Sequence, residues 1–287
     1  MKIIVLSGRS GSGKSTALTA LEDAGFNCID NFPVMLLQSL VHNTLRDSAQ
    51  QNSHMAVCID ARSHDLEKFP ELLLSIDRMD VDCEVIYLDA VSTTLVKRFS
   101  ETRRRHPLTN ARTDLSQAID AEGEVLESIA DLADLVIDST NLSAQELRQL
   151  ISTRVAKRRN KSISLLFRSF GFKYGVPLDA NIVFDLRCLP NPYWEKSLRS
   201  FTGQDRAVED FLSSQPAVTE MFNDISQYLD TWIPRFEAGA RAYMTVALGC
   251  TGGQHRSVYL AERLAQHFSH QFDNVLLRHR ELAEKDH

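Results

Sequence analysis

Apolar residues along this chain fall into short continuous runs separated by helix-length stretches. Ile3 to Leu6 is the first run, and Thr16 to Ala24 follows with Leu18 and Leu21 at helical spacing. Met55 to Ile59, Val85 to Leu88 and Leu135 to Ile137 continue the series. Runs of this length read as strands buried on both faces, and alternating them with helices implies a parallel sheet covered on both sides. Most of the runs stop at a turn or acidic residue, namely Ser7-Gly8, Asp60, Asp89 and Asp138. Ligand loops of parallel sheets begin at such strand ends.

Ser143 to Arg159 reads as a polar helix, with Ser143 as its cap and Glu146 in its first turn. A second alternation then begins: Ile163 to Phe167, Ile182 to Leu186, Met244 to Leu248, a glycine turn, a helix through Val258 to Phe268, and Val275 to Leu277. The organisation expected is a first domain over 1–153, a linker over 154–161 and a smaller domain over 162–287.

The chain has 287 residues, 43% hydrophobic and 24% charged, which is the composition of folded α/β units and excludes disorder as the main state. No apolar run approaches a membrane span or a signal-peptide core, so a cytoplasmic protein without a membrane is expected. Five cysteines, at 28, 58, 83, 188 and 250, are too widely spaced for a zinc knuckle and odd in number, which implies reduced thiols. A net charge of −6 gives no global attraction for nucleic acid, so an RNA contact needs a local basic patch.

Two strand ends carry chemistry. Gly8-Arg9-Ser10-Gly11-Ser12-Gly13-Lys14-Ser15 satisfies GxxxxGK[ST] directly between a strand and a helix. Its glycines let the amides point inward, Lys14 can bridge the β and γ phosphates of ATP or GTP, and the Ser15 hydroxyl can hold Mg²⁺. The Mg²⁺ shell also needs an acid at a neighbouring strand end. Asp60, followed by Ala61-Arg62-Ser63, is favoured over Asp89, and a helix-capping role stays open for both. Lys14 and Asp60 are thus the candidate catalytic groups. Arg98, Arg103, Arg104 and Arg105 form a basic run that suits either a lid over a transferring phosphoryl group or a solvated helix face. Asp30-Asn31-Phe32-Pro33 reads as an acceptor loop or a turn.

The second is Gly249-Cys250-Thr251-Gly252-Gly253-Gln254-His255-Arg256-Ser257, again between strand and helix. Amides of such a turn with Arg256 make an anion site without any Walker lysine. Cys250 and Arg256 also stand at Cys-x5-Arg spacing, which keeps a thiolate phosphatase with Asp185 as acid open, beside a noncatalytic phosphate site and a plain turn. Gly249 stands where such phosphatases usually have histidine. Arg187, Arg199 and Arg206 are candidates to complete the pocket.

GRSGSGKS at 8–15, IDARS at 59–63, ETRRRHPL at 101–108, FRSFGFKYGVPLDAN at 167–181, RCLPNPYW at 187–194 and GCTGGQHRSV at 249–258 together closely resemble the RapZ/YvcJ family, across essentially the whole chain. The resemblance implies an α/β fold with a P-loop NTPase-type parallel sheet domain, followed by a second, smaller α/β domain with a phosphate-binding turn. It implies weak ATPase and GTPase activity, with residues 8–15 and 60–63 as the nucleotide segments. It also implies a homo-oligomeric adapter that senses glucosamine-6-phosphate, binds small regulatory RNA and presents it to RNase E, so governing amino-sugar synthesis. Cys250, Thr251, Gly252, Gly253, Gln254, His255, Arg256, Ser257 and Tyr193 would hold the sugar phosphate. The alternative function is a P-loop small-molecule kinase. This chain departs from the enterobacterial adapters in having Tyr193 for histidine, and a tail over 278–287 that mixes acids with bases.

Overall fold

A computed structural model describes residues 2–46, 54–77, 81–102, 106–109, 113–156, 162–239 and 241–282. Arg103 to Arg105, Lys157 to Arg159 and Lys285 lie outside these residues. The chain divides into two compact units, 1–157 and 158–287. No helix of the described residues is long and apolar enough to cross a membrane.

The first unit is built on strands β1 (Lys2–Gly8), β2 (Asn27–Ile29), β3 (Met55–Cys58), β4 (Asp82–Asp89) and β5 (Leu135–Asp138), all parallel in the order β2-β3-β1-β4-β5. β1 is central because Ile3, Ile4, Val5 and Leu6 bury both faces, and its last residue, Gly8, is registered against Leu88. The covering helices are α1 (Lys14–Asp23), α2 (Leu37–Arg46), α3 (Phe69–Asp77), α4 (Ser92–Thr102), α5 (Leu115–Val125), α6 (Glu127–Ala130) and α7 (Ala144–Ile151). Ser143 caps α7 as its sequence predicts: its hydroxyl accepts the Glu146 amide at 3.2 Å, and Glu146 Oε2 accepts the Ser143 amide at 2.6 Å. Beyond Ile151 the helix widens into a π turn over 152–156 that buries Arg154 and Val155.

The second unit carries β6 (Ser164–Gly171), β7 (Ile182–Asp185), α8 (Arg206–Ser213), α9 (Pro216–Ala238), β8 (Tyr243–Cys250), α10 (Arg256–Ser269) and β9 (Val275–His279). Its parallel sheet has the order β7-β8-β6-β9, with every residue of β6 and β8 buried. Phe167 of β6 stacks on Phe268 of α10 with centroids 5.6 Å apart, a contact on the scale of about 1 kcal/mol beyond its area. α9, 23 residues long, buries Val218, Ile225, Leu229 and Ile233 along one stripe.

The residues read as a mixed-charge tail begin inside the fold. Arg278 and His279 belong to β9, Arg280 Nη2 donates to Gly171 O at 3.0 Å, and Glu281 Oε2 accepts the Gly171 amide at 3.1 Å. The Arg280 side chain is 9% exposed and paired with Glu281, so burial withdraws it from any role as a free basic contact.

Candidate functional site

β1 delivers the chain into the P-loop at Gly8, and α1 receives it at Lys14. Gly8 has φ +142, and a Cβ there would lie 2.0 Å from Leu88 O, so no other residue fits so close to β4. Lys14 Nζ donates to Gly8 O at 2.5 Å, which folds the lysine back across the mouth of its own loop. The Ser12 hydroxyl is buried with no hydrogen-bond partner. An orphaned polar atom inside a glycine loop at a helix start is the condition a bound phosphate oxygen relieves.

Two charged side chains outside the motif brace the loop. Glu122 of α5 accepts the Ser10 amide and hydroxyl, each at 2.7 Å, and lies 2.9 Å from His106 Nε2. Arg98 of α4 donates to Gly11 O at 2.9 Å and to Ser139 O at 2.6 Å. This arginine is docked on the loop carbonyl instead of projecting over the phosphates. The Arg9 side chain is turned away too: Nε donates to Asp89 at 2.7 Å, Nη2 to Ala90 O at 2.6 Å and Nη1 to Ser92 Oγ at 3.1 Å. Asp89 is thereby paired with Arg9, whereas Asp60 is the acid on which the Lys14 charge acts.

Asp60 ends the run Met55 to Ile59, and Ser7 Oγ donates to Ile59 O at 2.8 Å, tying the two strand ends together. Its carboxylate is engaged by Arg62, which donates from its backbone amide at 2.9 Å, from Nε at 2.9 Å and from Nη2. Burial works to raise the Asp60 carboxyl, but the hydrogen bonds from Arg62 and the charge of Lys14 outweigh it and hold the group below the usual carboxylate range. Ser63 Oγ accepts the Val34 amide at 3.1 Å and so pins the loop after β2. Asp30, at the end of that strand, acts electrostatically on both Cys58 and Arg62 and therefore belongs to this site.

In the second unit β8 runs into Cys250 and α10 starts at Arg256, with the turn between them. Gly253 N donates to Cys250 Sγ at 3.2 Å, and Ser257 Oγ stands 3.1 Å from the same sulfur. Arg256, 4% exposed, donates from Nη1 to Arg187 O and Leu189 O, both at 2.9 Å. Its Nη2 is 3.4 Å from Thr251 Oγ1, and its Nε has no partner. His255 is turned toward the carbonyls of Leu198 and Phe201, and burial holds its ring below the usual histidine range. Lys173 N donates to Thr251 O at 3.3 Å. Tyr193 itself is exposed and covered by Arg199, 5.0 Å from its ring. Arg187 pairs with Asp185 and Arg206 with Asp210.

Strand, glycine loop and helix at the centre of a parallel sheet ordered 2-3-1-4-5 define the first unit as a P-loop NTPase-type domain, joined in this chain to a smaller α/β unit with a glycine turn between β8 and α10. The model of the RapZ-like N-terminal domain matches residues 1–159 and that of the RapZ C-terminal domain matches 163–283, and the chain belongs to this RapZ family. A nucleotide-binding protein of Hahella chejuensis is 50% identical over 286 residues, covering 99% of this chain and 100% of the relative. A nucleotide-binding protein of Pseudomonas putida is 54% identical over 285 residues, covering 98% and 100%. Among solved structures, a sugar kinase from Janibacter sp. aligns with 53% of this chain and 93% of its own at 18% identity and a TM-score of 0.37. Shikimate kinase from Bacteroides thetaiotaomicron aligns with 52% and 94% at 14% identity and a TM-score of 0.33.

Proposed function

We propose that this chain is a nucleotide-binding regulatory adapter. The first unit takes ATP or GTP at residues 8–15 and hydrolyses it slowly. The observation that carries the reading is the loop itself, with its orphaned Ser12 hydroxyl and Lys14 beside Asp60. The curated relatives' name, nucleotide-binding protein, agrees with it. Ser15 and Asp60 are hard oxygen donors of the kind Mg²⁺ takes, and bound Mg²⁺ would neutralise phosphate charge. Asp60 serves the ion once Arg62 releases it, and Arg62 is then free to approach the phosphates.

Ser15→Ala should leave metal-free nucleotide affinity unchanged and remove roughly a tenfold gain on adding Mg²⁺. Titration of ATP and GTP in EDTA and in excess Mg²⁺ measures this. An equal loss in both buffers would reject Ser15 as an ion ligand.

The second unit holds an amino-sugar phosphate, glucosamine-6-phosphate, on the turn 250–257 with Tyr193 at its rim. The support is the unpartnered Nε of Arg256, with Nη2 beside Thr251 of the turn. The ligand state of the two units governs a surface for small RNA and RNase E, in a cytoplasmic homo-oligomer. That partner surface follows from the family resemblance. Asp30, acidic and beside the P-loop site, favours a second reading, a small-molecule kinase. Fast stoichiometric transfer from labelled ATP to any of a panel of sugar and nucleoside acceptors would replace the adapter reading.

RNA affinity should be weak and fall steeply with salt, because Arg280 is held by Glu281 and the chain is acidic. Removing residues 283–287 should change it by less than about twofold, since Ala283-Glu284-Lys285-Asp286-His287 offers one lysine against two acids. A filter-binding salt titration with a structured small RNA checks both points, and tight salt-resistant binding would contradict them.

A further inference from the structure

Cys58 and Cys250 are both buried thiols, with opposite surroundings. Burial pushes Cys58 up to about 12. Burial also acts to raise Cys250, but the Ser257 hydroxyl and the backbone amides of Ser257, Gly253 and His255 converge on its sulfur and hold it below the usual thiol range. The Gly253 amide at 3.2 Å and the Ser257 hydroxyl at 3.1 Å are the contacts that favour the ionised form of this sulfur.

The arginine six residues later completes a geometry. Nη1 of Arg256 is anchored on the carbonyls of Arg187 and Leu189, which fixes the plane of the guanidinium. Nε and Nη2 form the opposite, bidentate edge, and Nη2 reaches Thr251 in the turn while Nε is buried without a partner. A planar two-donor edge that reaches Thr251, the residue next to Cys250, at the start of a helix fits a tetrahedral oxyanion bound in the same turn as the sulfur. A Cβ at Gly249 would lie 2.4 Å from Phe172 Cε2 and 2.5 Å from Phe170 Cζ, so packing excludes the histidine that usually precedes such a thiolate.

We propose that the turn of the second unit is a nucleophilic phosphate site, in which Cys250 accepts the phosphoryl group of activated phosphate monoesters while Nε and Nη2 of Arg256 hold its oxygens. The inference rests on reading this turn as a phosphate site. The thiolate sulfur forms a bond to phosphorus as the bond from phosphorus to the ester oxygen breaks, giving S-phosphocysteine and the leaving oxyanion. Water then attacks phosphorus, the sulfur–phosphorus bond breaks, and the thiolate returns. One proton of that water ends on the leaving group and the other on inorganic phosphate.

The surrounding carboxylates set the substrate class. Arg187 holds the Asp185 carboxyl below the usual carboxylate range, whereas burial raises that of Glu281, whose Oε1 is engaged by Arg280 and whose Oε2 accepts the Gly171 amide. Neither is placed to hand a proton to an alkoxide. Aryl phosphates, whose leaving groups depart as stable anions, are cleaved. Alkyl phosphates, sugar phosphates among them, are held intact and compete for the site.

The test uses the full chain with p-nitrophenyl phosphate in EDTA, which silences metal-dependent chemistry at the P-loop. Turnover is expected, with one phosphoryl mass mapped to Cys250 after acid quench. Cys250→Ser should lower turnover by roughly a hundredfold or more and remove the adduct. Cys188→Ser, at an exposed thiol, should change neither. Glucosamine-6-phosphate should inhibit competitively and release no phosphate. The wild-type adduct does not depend on any variant folding, so its absence overturns the proposal, as does equal turnover by a folded Cys250→Ser protein. Protection of Cys250 from iodoacetamide by inorganic phosphate without any adduct leaves a binding site and removes the nucleophile. Absence of protection removes the phosphate-site reading as well.

Discussion

Arg256→Ala should destabilise the second unit by about 3–5 kcal/mol. The guanidinium is 4% exposed and supplies the hydrogen bonds of two carbonyls, Arg187 O and Leu189 O, that fix the loop after β7. Each such bond to a charged donor contributes about 1.5–3 kcal/mol, and its loss leaves a carbonyl without that donor. Calorimetry of the full chain should show one unfolding transition lowered by roughly 10 °C or more while the other stays in place. Arg256→Lys keeps the charge but loses the fork, so it should fall between the two. Phosphate binding should be lost in both variants. An unshifted transition in the alanine variant would mean that the loop is held by other contacts.

Lys14→Ala should weaken ATP and GTP binding by roughly 10- to 100-fold, the loss of one charge-assisted hydrogen bond of about 1.5–3 kcal/mol. Its stability effect should be small, because among the described residues Nζ donates a hydrogen bond to the carbonyl of Gly8 at the loop mouth and to no other group. Equilibrium titration beside thermal unfolding separates the two quantities. Full affinity in a folded Lys14→Ala protein would remove the P-loop from the nucleotide site.

The P-loop was legible in sequence because its chemistry is local: strand, glycines, lysine and helix follow one another within residues 3–24. What braces it was not. Ser10 meets Glu122 and Arg9 meets Asp89 across separations of 112 and 80 residues, and no local pattern says which way an arginine turns. The basic run at Arg98 reads in sequence as either a lid or a solvated helix face, whereas Arg98 is docked on Gly11 and Ser139. Val218, Ile225, Leu229 and Ile233 of α9 repeat at helical spacing, a signal of a helix that the apolar strand runs on either side do not carry. In the second unit the Cys-x5-Arg spacing was visible but Ser257 was not weighed as a partner of Cys250. A hydroxyl directly after the arginine, in the first turn of a helix that springs from the cysteine's strand, was the available signal.

The topology of the second sheet also bears on how the chain is made. β6 is buried along its whole length, yet its neighbours β8 and β9 end at Cys250 and His279. At ribosomal speeds of about 5–20 residues per second, the apolar run that ends at Gly171 waits roughly 5–20 s before its last neighbour has been synthesised. Until β8 is complete at Cys250 its backbone has no neighbouring strand of its own sheet that pairs with it directly, and parallel strands this far apart close slowly. The nascent second unit is therefore the segment on which chaperone supply and growth temperature act, and overexpression should lose material there before it loses any at the first unit.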